Sequence, residues 1–367
     1  MESLPPFKKE KMDTPRTPFF AYDLSKISKK IGYLKKLQEK VPFKILYSEK
    51  ACGEYRILTL MKDHIDGFSV SSLKEAKVER RDDQYLQFVT PGIFPHQWEY
   101  IHDFATHVTF NSVEQLCQFG GKLKDDVKYG LRVDPEISFI NDPRYDPCRK
   151  FSKLGSTVER ISNFLTDPSW DHKITGLHFH TNCESKDLSH LNEVIFEKID
   201  DLICSFDISW LNLGGGYVFD QINANISLPV IIRRLMREHP HLEILIEPGS
   251  YFVKEAGSLV ASVIDIMEKN GRQIAVLDTT VNHLPEVLEF GEEPDVQGNN
   301  LFNQHDYILA GCTCLAGDVF GEYSFDKKLK VGSQIVFENV GAYTLSKANT
   351  FNGIPIPKVV YTDAYNS

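Results

Sequence analysis

A chain of 367 residues, 42% hydrophobic and 25% charged, has the composition of a soluble globular protein with room for about two domains. A net charge of −10 argues against a nucleic-acid binder, which needs clustered lysine and arginine, and is compatible with a cationic ligand. No apolar run reaches the length of a membrane span and MESLPPFKKEKMDTPRTPFF holds no signal-peptide core, so a cytoplasmic protein with no membrane partner is expected.

In chain order, FFAYDL (19–24) reads as a strand ahead of the helical stretch SKISKKIGYLKKLQ. Short apolar runs then alternate with amphipathic segments. The runs are FKILYS (43–48), GFSVS (67–71), FVTPG (88–92), HVTFNS (107–112), YGLRVD (129–134), GLHFHT (176–181), WLNLGGG (210–216) and LEILIEPG (242–249). The helical segments include SLKEAKVERR (72–81), SVEQLCQFGGKL (112–123), TVERISNFL (157–165) and LPVIIRRLMREH (228–239). Eight strands alternating with helices predict an α/β fold, a (β/α)8 TIM-like barrel over 26–265. QIAVLDTT, YILAGC, LKVGSQIVFEN and GAYTLS then predict a mainly β C-terminal domain over 266–367, joined by the N-terminal strand within 1–25. The seven cysteines are odd in number and scattered, which predicts free thiols; none stands in zinc-site spacing, and no metal is expected.

Sites on such barrels lie at the C-terminal ends of the strands. There this sequence places Lys50, Arg132, His178 and His180, the run Gly214, Gly215 and Gly216, and Glu247. Taken singly, each has an ordinary alternative: a surface lysine, a core histidine, a flexible turn, an exposed carboxylate. Three glycines can also admit backbone N–H groups to a phosphate, and Glu247 could face a protonated ring nitrogen. Farther on, GCTCLAGDVF presents Cys314 and Asp318 in a small-residue loop, and GAYTLS places Tyr343 on a strand. A buried thiol and a core tyrosine are the ordinary alternatives.

The combination YSEK, GFSVSSLKEA, LRVDP, SKLG, GLHFH, NLGGGY, EPG, CLAGD and GAYT…FNG, in this order from about 18 to 357, resembles the fold-type III pyridoxal-phosphate-dependent decarboxylases of the alanine racemase-like fold. HFHTNCES, RYDPCRKFSKLG, GCTCLAGDVFGEYSFDKKLKVG and TFNGIPIP are most similar to the carboxynorspermidine/carboxyspermidine decarboxylases within it. The resemblance implies pyridoxal 5'-phosphate bound covalently by Lys50, with His180 stacked on its ring and Glu247 at its pyridine nitrogen. It implies phosphate contacts from Gly214, Gly215, Gly216 and Tyr343, and Arg132, at the end of its strand, is a further cofactor-binding candidate. It also implies a homodimer in which Cys314 reaches the neighbouring site as proton donor. A carboxylate at the ring nitrogen keeps that nitrogen protonated and the ring a strong electron sink, which favours decarboxylation over racemisation.

Leu315 stands where diaminopimelate decarboxylases carry glutamate and ornithine-type enzymes aspartate, so a carboxy-polyamine yielding norspermidine or spermidine is the expected substrate. Asp278, His283, Glu286 and Asp318 are the candidates for its ammonium groups. The alternatives are diaminopimelate, lysine, ornithine or a siderophore precursor as substrate, or a non-catalytic homologue that binds a partner. Three positions depart from the family pattern: Ser250 for the arginine often found after EPG, Ser69 for an aspartate, and Glu49 for the small residue before the lysine.

Overall fold

The computed structural model describes residues 15–169, 173–221 and 228–362; the stretch 1–14, read above for a signal peptide, lies outside them. The chain divides into two units. One comprises Asp23–Ala256 with Gly341–Ser346; the other comprises the described residues up to Tyr22 with Gly257–Val340 and Lys347–Thr362. No helix among the described residues is long and apolar enough to cross a membrane, and none of the seven cysteines is in a disulfide.

Strand β1 is Phe19–Asp23. The first unit then contributes β2 Lys44–Ser48, β3 Gly67–Val70, β4 Tyr85–Thr90, β5 His107–Phe110, β6 Lys128–Asp134, the two-residue β7 Ser156–Thr157, β8 Ile174–His178, β9 Trp210–Asn212 and β10 Glu243–Ile246. Eight of these pair in parallel in the order β5-β4-β3-β2-β10-β9-β8-β6, and β6 pairs back onto β5 to close the barrel. Each of the eight coincides with one expected apolar run, because strands covered on both faces read as continuous hydrophobic stretches.

Helices Tyr55–His64, Val113–Phe119, Val158–Leu165 and Leu228–Glu238 fall among the connections. The helix expected over 72–81 is a correction: only the single turn Glu75–Lys77 forms. Ser71 N–H and Ser72 Oγ engage the Glu75 side chain and N–H, while Arg80 donates to the Gln84 and Phe104 carbonyls. Those tethers replace the helical ladder.

The barrel is filled in two layers of different chemistry. Trp210, fully buried, occupies the lower layer with Leu46, Leu245 and Tyr85, and His107 meets its ring edge-on at 5.2 Å. Gly176 lies beside it in the ladder, where a Cβ would come within 1.8 Å of the indole, so only glycine admits this tryptophan. One pleat period farther along the strands, Ser48, Ser69, Gln87, Thr109, Arg132, His178 and Asn212 form a polar tier at the strands' C-terminal ends, and Glu247 follows β10 at the same end. The apolar floor below is what permits a polar ring above it.

The second unit continues with β11 Gly257–Lys269, β12 Arg272–Leu277, β13 His305–Ala310, β14 Val319–Phe325, β15 Gln334–Phe337 and β16 Lys358–Thr362. Its sheet runs β14-β13-β12-β11-β1-β16, with β15 on β11. The long β11 crosses the expected boundary at 265/266, and β1 pairs antiparallel with it, Phe19 opposite Val260 and Tyr22 opposite Gly257. GAYTLS is a second correction. Gly341 N–H and Tyr343 N–H bond to the Lys254 and Ala51 carbonyls, Tyr343 takes φ 60°, and a short helix Thr344–Lys347 follows. These backbone bonds hold the segment as a turn of the first unit in place of a strand.

Candidate active site

Strand β2 ends at Ser48, and a single helical turn, Glu49–Ala51, presents Lys50. Its carbonyl accepts a hydrogen bond from Ser346 Oγ at 3.0 Å. The side chain has open surface, yet protein surrounds it closely enough that desolvation is the main influence on its ammonium; a recess satisfies both facts. Desolvation and the Arg132 charge lower its pKa, opposed by Glu247 and Glu75. Burial lowers the pKa of Arg132, opposed by Cys148, Glu247 and Asp134.

Glu247 is 6% exposed. Asn212 Nδ2 donates to its Oε1 at 2.7 Å, the Ser69 hydroxyl also bonds to it, and its N–H donates to Gly214 O at 2.8 Å. Burial raises its pKa, while Lys50, the two hydrogen bonds and Arg132 act in the opposite sense. Gly215 N–H donates to His180 Nδ1 at 3.1 Å. Burial and the Lys50 and Arg132 charges hold the His180 pKa well below the usual histidine value, so the ring is neutral with its proton on Nε2.

The glycine run has a packing purpose of its own. Gly214 N–H donates to Asn212 Oδ1 at 2.9 Å and Gly215 N–H to His180, so neither amide is free to face a phosphate. Glycine is required because a Cβ would approach the Phe179, Glu247 and Asn182 carbonyls to 2.4, 2.2 and 2.1 Å at positions 214, 215 and 216. The run locks three strand ends together, and its tight path is what orients His180 and Glu247. Asn212, which ties both Glu247 and Gly214, was not singled out in the sequence. A polar amide inside the buried strand WLNL was the signal that could have found it.

Lys50, Arg132, His180, Gly214, Gly215, Gly216, Glu247 and Tyr343 all belong to the barrel unit. The loop after β6 adds a cavity of about 750 Å³ lined by Asp134, Glu136, Asp146, Cys148 and Arg149. Burial and the neighbouring Asp134 and Asp146 push the Cys148 thiol up to about 12, so it stays protonated.

Cys314, Asp278, His283, Glu286 and Asp318 belong to the second unit. Cys314 is exposed, and its N–H donates to Asn352 Oδ1 at 2.9 Å. Three of the four substrate candidates are committed to the chain itself. Asp318 accepts from Thr280 Oγ1, Val281 N–H, Thr313 N–H and Thr313 Oγ1. Asp278 accepts from Thr17 Oγ1 and Ser262 N–H. His283 is fully buried against Thr279 Oγ1, and burial lowers its pKa to about 4. These bonds hold loops together, as buried polar groups call for partners, while His283 Nε2 has none. Glu286 accepts from Lys347 Nζ at 3.4 Å.

Glu49, the departure beside the lysine, is 8% exposed, and its Oε2 has no hydrogen-bond partner. Burial, then the Glu75 charge, raises its pKa to about 8. Its protonated form is the one the fold accepts, so its contribution to stability is complete below pH about 4.5 and is lost as pH rises to about 8. Glu49→Gln is expected to abolish that loss, on the order of 3–5 kcal/mol between pH 5 and 8.5. Denaturant unfolding of both proteins at the two pH values checks it; equal pH dependence refutes it.

Comparison with known proteins accounts for this arrangement. Residues 24–254 match the family model for the pyridoxal binding domain of pyridoxal-dependent decarboxylases. The chain is 32% identical to carboxyaminopropylagmatine decarboxylase of Synechocystis sp., over 94% of this chain and 89% of the relative. It is 31% identical to carboxynorspermidine/carboxyspermidine decarboxylase of Campylobacter jejuni, over 96% and 94%. The crystal structure of carboxynorspermidine decarboxylase from Campylobacter jejuni complexed with norspermidine superposes with a TM-score of 0.84 at 30% identity, covering 95% of this chain and 94% of that one. These matches cover nearly the whole chain, and the chain belongs to the pyridoxal-dependent decarboxylases of fold-type III.

Proposed function

We propose that the protein decarboxylates carboxynorspermidine or carboxyspermidine, releasing norspermidine or spermidine, with pyridoxal 5'-phosphate as cofactor. The observation that carries this reading is the placement of Lys50 against Glu247 and Arg132 on the barrel rim, in a chain about 30% identical over nearly its full length to enzymes of that name. The residues present fit the cofactor. A lowered pKa supplies neutral amine for bonding to an aldehyde carbon, a buried carboxylate suits a protonated ring nitrogen, and a neutral imidazole suits a ring face. When bound, the cofactor supplies the electron sink that accepts the pair left by departing CO2.

The chain's own groups do the rest. Glu247, aimed by Asn212 and Ser69, holds the proton at the ring nitrogen. His180, fixed by Gly215 N–H, offers a flat apolar face. Gly216, Tyr343 and Ser250 would lie toward the phosphate, and Gly214 and Gly215 would contribute by shape. Lys50 would hold the cofactor covalently between turnovers through its neutral amine. Cys314 gives the proton to the former α-carbon from the neighbouring copy of a homodimer, since its loop is exposed and anchored through Asn352. The substrate's ammonium groups face Asp134 and Glu136 in the cavity after β6.

CO2 release and amine product are measured from cofactor-loaded protein given carboxynorspermidine, carboxyspermidine, carboxyaminopropylagmatine, meso-diaminopimelate, lysine and ornithine. Turnover of the two carboxy-polyamines is expected to dominate. A preference for carboxyaminopropylagmatine would move the substrate to a guanidinium-ended chain, and a preference for diaminopimelate, lysine or ornithine would refute the argument from Leu315. Cys314→Ala is expected to lower kcat about 10²-fold with little change in KM, because it removes a proton donor and no binding contact. A proportionate rise in KM would refute that role.

A further inference from the structure

His178 ends β8 one ladder position from Arg132 on β6 and from Asn212 on β9. It is 2% exposed, and neither ring nitrogen has a hydrogen-bond partner. Its Nε2 lies 3.8 Å from Glu247 Oε2, just outside hydrogen-bond reach. The other oxygen of that carboxylate is already held by Asn212 at 2.7 Å. A neutral imidazole carries one N–H and one lone pair, and burying either without a partner is costly. Desolvation and the charges of Arg132, His180 and Lys50 keep this ring neutral. In the polar tier around it Gln87 Oε1 is also without a partner, and within 4 Å of the ring lies the carboxylate that the proposed reaction depends on.

We propose that His178 is a positioning residue for Glu247: its ring N–H takes Oε2 when the carboxylate is ionised, so that Asn212 and His178 hold one oxygen each. A small rotation of the carboxyl group or of the ring closes the gap. The arrangement gives the unpartnered ring an acceptor and the carboxylate a second fixed donor beside Asn212. This rests on the reading of Glu247 as the ring-nitrogen partner, but the pairing itself is a property of the unloaded chain.

Two measurements test it. In unloaded protein, ¹⁵N ring signals of His178 are compared between the native chain and Glu247→Gln. A change of the protonated nitrogen, or of its exchange rate with water, is expected; unchanged signals overturn the pairing whatever the cofactor does. In loaded protein, His178→Gln and His178→Phe are compared for cofactor dissociation constant, kcat and KM. His178→Phe is expected to lose about 10-fold or more in kcat and in cofactor affinity at constant KM, and His178→Gln, which keeps an N–H donor, to recover most of it. In the Glu247→Gln background, His178→Phe is expected to cost less than threefold. Should His178→Phe not fold, His178→Met carries the same comparison. Equal losses in the glutamine and apolar variants, or losses that simply multiply with Glu247→Gln, would leave a packing role only. If native protein neither binds the cofactor nor turns over, the proposed function fails while the ¹⁵N result still decides the pairing.

Discussion

Lys50→Ala is expected to abolish covalent cofactor attachment and to lower kcat by at least about 10³-fold. The amine is held in a recess where desolvation, together with the charge of Arg132, favours its neutral form, and a neutral amine is what adds to a carbonyl carbon. The measurement is borohydride trapping followed by mass analysis of the peptide carrying residue 50, with single-turnover kinetics beside it. Free cofactor could still bind weakly through the remaining groups, so attachment and binding must be read separately. Retention of a trapped adduct and of full activity in Lys50→Ala would remove the lysine from the reaction altogether. Lys50→Arg is a useful second variant: it keeps charge and length but cannot lose its proton, so it should be as inactive as alanine.

Glu247→Gln carries the second large effect, a fall in kcat of about 10²–10³-fold, the size seen when a single electrostatic contact to developing charge is removed. Its stability effect has the opposite sign. Desolvation is the largest influence on this carboxyl and raises its pKa, so ionised Glu247 is a cost to the unloaded fold that neutral glutamine avoids. A raised carboxyl pKa contributes stability below the ordinary carboxyl range that is lost as pH rises through the folded value. The unloaded variant is therefore expected to be at least as stable as the native protein at pH 8, with the gap narrowing toward pH 5, while its kcat collapses. Thermal unfolding and steady-state kinetics on the same preparations check both halves. A variant that is both unstable and inactive would indicate a structural glutamate held by Asn212 and nothing more.

The barrel was legible because its strands are buried on both faces. Runs such as FKILYS and LEILIEPG are therefore unbroken, and each marks its own C-terminal end with a polar residue. That regularity located Lys50, Arg132, His180 and Glu247 on one rim without coordinates. Local pattern failed where groups find partners outside their own segment. SLKEAKVERR has helical periodicity, yet Arg80 spends its guanidinium on the Gln84 and Phe104 carbonyls. GAYTLS alternates like a strand, yet Tyr343 turns back to Ala51.

By itself, then, the sequence determined the class of fold, the residue types at the strand ends and, through its ordered motifs, the chemistry of decarboxylation. Those properties depend on composition and period, which are local. Tertiary structure decided which polar groups are free. Asp278 and Asp318, candidate ligands in the sequence, are bonded to Thr17, Ser262, Thr280, Val281 and Thr313, and His283 uses Nδ1 on Thr279 while its Nε2 has no partner. Gly214 and Gly215 look like open donors but are spent on Asn212 and His180. His178, unremarkable in GLHFH, is left with two unpaired nitrogens beside Glu247. A hydrogen bond is saturable and its partner can come from anywhere in the chain, so only the folded geometry settles who holds whom.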